Sequence, residues 1–199
     1  MTKHTLLSFL LLFTASARAA VTCNDSPQPA HSAVAEAIPG DNVLRFYRMA
    51  IPVTCTAYEE DFGHDYKEVL HFWHETEAFL NRIFVPLGFC FDVIEDQTLV
   101  MTERNLIDEN VFNAPGFGTE LLNEAVGTKS YDIGMWVTHR DDFEENSGLS
   151  ALKGAYSSST KGSGYAKTDK WVVAHELGHM FGAVHTLQGE GSLMDNLGD

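Results

Sequence analysis

The stretch His175-Glu176-Leu177-Gly178-His179-Met180-Phe181-Gly182-Ala183-Val184-His185 reads H-E-x-x-H-x-x-G-x-x-H, and its reading decides the fold. Two histidines four residues apart lie on one helix face, one turn apart. Both imidazoles can therefore reach one metal at about 2.0–2.1 Å, the Zn–N bond length. His185 comes six residues after His179, too far along for the same turn. The chain must leave the helix and fold back, and Gly182 stands where that break falls, since glycine enters left-handed backbone without a Cβ penalty. Three neutral ligands leave a fourth zinc position open for water, the mark of a catalytic rather than a structural site. Glu176 is placed to hydrogen-bond that water rather than the ion.

This motif resembles the long signature of the metzincin clan of zinc endopeptidases, which ends in a Met-turn. A candidate turn follows at Gly191-Ser192-Leu193-Met194-Asp195. The resemblance implies that Met194 lies beneath the metal as a hydrophobic floor. The run-in Tyr131-Asp132-Ile133-Gly134, Gly154-Ala155-Tyr156 and Trp171-Val172-Val173-Ala174-His175 is similar to adamalysin/reprolysin-like members. The likeness covers roughly residues 43–199, with little distinctive before residue 130. It implies an α/β catalytic domain: a twisted, mixed five-stranded sheet with a long helix and an active-site helix. It also implies peptide-bond hydrolysis with bound Zn2+, with His175, His179 and His185 as metal ligands and Glu176 as general base. Gly154-Ala155-Tyr156 would then belong to an edge strand that pairs with an extended protein or peptide substrate.

A chain of 199 residues, 44% hydrophobic, can bury one sizeable core and gives no reason to invoke two. Lys3, the apolar run Leu6–Ala15 and Ala17-Arg18-Ala19 read as a signal peptide over 1–19. A secreted or periplasmic location is expected, with no membrane span, because no later segment is long enough. The formal charge of −15 argues against nucleic acid or an anionic membrane as partner. The acidic run Asp141-Asp142-Phe143-Glu144-Glu145 does not fit an EF-hand and reads as a solvated loop.

Residues 20–42 hold three prolines and few large apolar residues, so they read as a linker or short prosegment before a catalytic domain over 43–199. Some metzincins are kept latent by a cysteine or an aspartate in a prosegment. Cys23, or Asp25 as the carboxylate version, is the candidate here, against the plainer reading of a tail with an incidental cysteine. Three cysteines leave at least one unpaired. Cys55 ends one expected strand and Cys90 starts the next. The parallel strands of the family fold would put them at opposite ends of the sheet, and a bridge between them is disfavoured.

Strands are expected over 43–54, with Pro52 disturbing the end, and over 89–94, 131–138, 152–157 and 165–168. A long helix is expected over 63–85, from Tyr66, Val69, Leu70, Trp73, Leu80, Ile83 and Phe84 at three- and four-residue steps, stopped by Pro86 and Gly88. His71 and His74 on it read as surface residues. A short helix is expected over 119–126. Asp169 can cap the motif helix. The Ser/Gly run 157–164 is a turn and not a phosphate loop, because it lacks G-K-[ST]. Asp199 is five residues past Met194, whereas metzincins ordinarily continue through a pocket wall to a further helix. The expectation is thus a domain truncated after the Met-turn. The alternative is an inactive metzincin-like zinc-binding or interaction protein.

Overall fold

The computed structural model describes residues 43–110, 114–139, 148–150, 152–156, 161–162, 164–186 and 192–195. The signal peptide over 1–19, the segment 20–42 with Cys23 and Asp25, the run Asp141–Glu145 and most of the Ser/Gly run lie outside the described residues.

Strand β1 is Arg45–Ala50, followed by helix α1 at Cys55–Glu60. The strand ends short of the expected 54. Pro52 has no N–H for a ladder, and only Val53 makes further bridges, to Val100 and Val137. Cys55 therefore opens a helix rather than ending a strand. Helix α2 spans Tyr66–Phe84, capped by Asp65, whose carboxylate accepts from the Lys67 N–H at 2.8 Å. A 3₁₀ turn with Pro86 stops it at Gly88, where φ is +89°. Strand β2 is Phe89–Val93, α3 is Leu106–Glu109, α4 is Ala114–Val126 and β3 is Ile133–Thr138. Strand β4 is Gly148–Leu149, β5 is Gly164–Lys167 and α5 is Lys170–Met180.

These strands form one five-stranded sheet in the order β2-β1-β3-β5-β4. The first four run parallel, and β4 pairs antiparallel with β5 through Gly148↔Ala166 and Leu149↔Tyr165. The mixed α/β sheet is the metzincin-like architecture the motif implied. Phe46↔Cys90 pairs the starts of β1 and β2, which leaves Cys55 beyond the far end of β1; both thiols are free.

All six residues of β3 are buried, as expected of a parallel strand covered on both faces. Helices α2 and α5 pack on one face and touch through Phe79 and Trp171, whose ring centroids are 4.3 Å apart. Helix α4 covers the other face, where the Trp136 indole N–H donates to the Gly118 carbonyl at 3.2 Å. Asp169 caps α5 by accepting from the Trp171 N–H at 2.8 Å. No helix among the described residues is long and apolar enough to cross a membrane.

The expectation of a strand over 152–157 carrying Gly154-Ala155-Tyr156 does not hold. Gly154–Tyr156 is a 3₁₀ turn, and the edge strand lies upstream at Gly148–Leu149. The cause is Lys153. Its φ of +61° is incompatible with a strand and turns its N–H onto the His179 carbonyl at 3.0 Å. The segment is tied down to the end of α5 instead of extending along the sheet.

Candidate metal centre

Helix α5 is buried over Val172–Gly178, and it presents His175 and His179 on one side. The helix closes in a Schellman turn. The Gly182 N–H donates to the His179 carbonyl at 2.8 Å, and the Ala183 N–H donates to the Gly178 carbonyl at 2.9 Å. Gly182 takes φ of +93°, which only glycine enters cheaply. This reversal carries His185 back to the face already holding His175 and His179.

The three imidazoles converge. His175 Nε2 and His179 Nε2 each stand 3.0 Å from His185 Nε2, and all three ligand atoms lie within 4.8 Å of one another. Two nitrogens on one tetrahedral zinc at about 2.05 Å stand about 3.3 Å apart, so the spacing is close to that of a shared ion. The outward nitrogens support this. His175 Nδ1–H donates to the Leu193 carbonyl at 2.8 Å, and His179 Nδ1–H donates to the Ala183 carbonyl at 2.8 Å. In neutral rings that tautomer turns both Nε2 lone pairs inward. One N–H on His185 could meet only one of them, whereas a cation meets all three. The donor set therefore fits the zinc that the motif implied.

Glu176, next to the first ligand, is fully buried. Met194 is buried too, and its sulfur fills the space a side chain at Gly178 would need: a Cβ there would lie 2.5 Å from Sδ. The floor reaches the helix backbone at Gly178, between the two helical histidines. The Met-turn is also latched to the His185 segment. The Thr186 N–H donates to the Met194 carbonyl at 2.9 Å, and the Thr186 and Ser192 hydroxyls donate to Asp195 Oδ1 at 2.7 and 2.9 Å.

The sequence placed Leu193 and Asp195 in the Met-turn without assigning them a role, and it gave no sign of Thr186 or Gly148 as parts of this centre. Leu193 acts through its carbonyl, which its side chain does not announce. Gly178, a glycine inside a helix, was a readable sign of close approach. His71 and His74 stand apart on α2, where His74 pairs with Glu95 at 2.7 Å. Among the described residues, the triad is the one group of three or more metal-ligating side chains.

Comparison with curated proteins finds no matching relative. Residues 95–186 match the metallo-peptidase family M12B, reprolysin-like. The matched stretch runs from the end of β2 through α5 and stops one residue past His185, so it holds the whole motif and its run-in. Members of that family normally bind zinc, and the convergent triad gives this chain the donors to do so. With its motif, its mixed sheet and this match in agreement, the chain is similar to the reprolysin-like metzincin metallopeptidases over residues 95–186.

Proposed function

We propose that the protein is an exported, zinc-dependent endopeptidase acting on protein or peptide substrates. The observation that carries the reading is the convergence of three Nε2 atoms while two Nδ1 atoms are fixed on carbonyls. His175, His179 and His185 would hold the ion. When bound, zinc supplies Lewis-acid polarisation of the scissile carbonyl and lowers the pKa of water towards 7.

The remaining chemistry belongs to side chains and backbone. The Leu193 and Ala183 carbonyls keep the ligand tautomers fixed through the reaction. Glu176 takes a proton from the attacking water on a carboxylate oxygen and delivers it to the leaving nitrogen. Its burial keeps bulk water from competing for that proton. The short edge strand β4 sits against Glu176, and an extended peptide added to its outer side would lie along the reacting groups. No covalent acyl intermediate is needed. The signal-peptide pattern supports export, and the acidic charge supports peptide over nucleic-acid substrates.

The test is zinc content together with turnover of a peptide library. Wild type should hold about one zinc per chain and cleave. Glu176→Ala should keep the metal and lose about 10²–10⁴-fold in rate, the range for a general base. Stoichiometric zinc with no cleavage by wild type would replace this reading with a non-catalytic metal-binding protein. Stoichiometric zinc in a variant lacking all three histidines would remove the ligand assignment.

A further inference from the structure

Gly148 opens β4, pairs with Ala166 and is buried. It stands in a strand, a backbone any residue adopts, so turn geometry does not explain the glycine. Space does. A Cβ built there would lie 2.8 Å from both Cγ and Oε1 of Glu176 and 2.9 Å from the Tyr165 carbonyl oxygen. Carbon atoms do not approach this closely without something shifting. The Tyr165 oxygen belongs to the backbone of β5 and cannot retreat without moving the sheet. The side chain of Glu176 is what can yield. Just after β4 the chain touches the same residue again, where the Ser150 hydroxyl donates to the Glu176 main-chain carbonyl at 2.9 Å.

We infer that Gly148 is a positioning residue for Glu176. Its missing side chain leaves the room in which the Glu176 carboxylate stands, and Ser150 holds the backbone of the same residue at a fixed distance from the strand. The strand that would receive a peptide therefore also sets the position of the proton-carrying group. A peptide that shifted β4 would shift Glu176 with it. The contact stands on geometry alone; its catalytic meaning rests on the function proposed above.

The experiment is a cycle of Gly148→Ala, Glu176→Ala and the double variant in the full chain as purified. Its first readout is the thermal midpoint. Gly148→Ala should lower Tm by about 4–8 °C while Glu176 is present. It should lower Tm by less in the Glu176→Ala background, which keeps the Tyr165 carbonyl contact but lacks Cγ and Oε1. Equal drops in both backgrounds would overturn the proposal. If Gly148→Ala alone fails to fold, a folded double variant supports the proposal and an unfolded one overturns it. The second readout is kinetic. Gly148→Ala should keep one zinc per chain and a KM within about twofold, while kcat falls about 10- to 100-fold, as for a misplaced reacting group. Loss of zinc, or a KM that rises in step with the fall in kcat, would assign Gly148 to the sheet alone. A wild type without turnover would remove the proposed function and leave the thermal cycle to decide the contact.

Discussion

The two edges of the sheet are finished in opposite ways. At β2, helix α2 lays side chains along the outer backbone. The Asn81 amide donates to the Phe91 carbonyl at 2.8 Å and accepts from the Phe91 N–H at 2.7 Å, as a neighbouring strand would. Glu77 accepts from the Val93 N–H at 2.8 Å. At the other edge, β4 is two residues long and lies against Glu176. A long, flat edge invites pairing with any extended chain, and proteins block it with short strands or with covering groups. Here the long edge is plugged and the short one adjoins the reactive residues. Among the described residues, the edge without such a plug is the one that lies against Glu176, where the proposed function would have a peptide bind.

The largest effect is expected at β4. Leu149→Pro removes an N–H from a two-residue strand, either from its ladder with β5 or from the side a peptide would use. Turnover, as kcat/KM, should fall at least about tenfold with zinc content unchanged. If kcat/KM holds, the edge does not receive substrate.

Asn81→Ala tests the plugged edge. It deletes two hydrogen bonds and leaves edge amide groups without those partners, a loss of about 2 kcal/mol. That should be read as a fall in Tm of about 4–8 °C. Turnover per folded molecule should stay within about twofold, while light scattering should show association that grows with concentration. Loss of turnover comparable with that of Leu149→Pro would mean that the two edges are not functionally distinct.

The smallest effect lies between the edges, where Arg48 on β1 grips Asp132 just before β3 at 2.8–3.0 Å. Hydrogen bonding to the Arg48 guanidinium holds the Asp132 carboxyl below its ordinary range. A depressed folded-state pKa adds stability above the unfolded value of about 3.9, and that stability is lost as pH falls through the folded value. Asp132→Asn should therefore be slightly less stable than wild type at neutral pH. The gap in thermal midpoint should close below about pH 4. A gap that stays constant down to pH 2 would show that the carboxylate charge contributes nothing.

What the sequence disclosed followed from periodicity and from special residues. Helix α2 was readable from its apolar steps and its Pro86-Leu87-Gly88 stop. The reversal at Gly182 was readable because one residue type fits it. The triad was legible because its spacing carries the geometry. The edge strand was misplaced because Lys153 adopts a positive φ that nothing in Leu152-Lys153-Gly154 signals. That conformation goes with a hydrogen bond from the Lys153 N–H to the His179 carbonyl, 26 residues away. The plug at β2 was equally hidden. Asn81 and Glu77 read as the polar face of a helix, and only the tertiary arrangement turns that face towards a strand.

One hydrogen bond has a consequence for how the centre comes into being. His175 donates to a carbonyl 18 residues downstream, at Leu193. During synthesis, the helix with its first two histidines emerges before the atom that fixes the first ring has been made. Until Leu193 docks, the His175 proton can sit on either nitrogen, and His185 has not been latched in place. Under the proposed function, ion capture would then be inseparable from joining Thr186 to Met194 and Asp195, and its apparent affinity would include the entropy of that closure. A fluorescent zinc indicator present during refolding would register the arrival of the Met-turn rather than the winding of the helix.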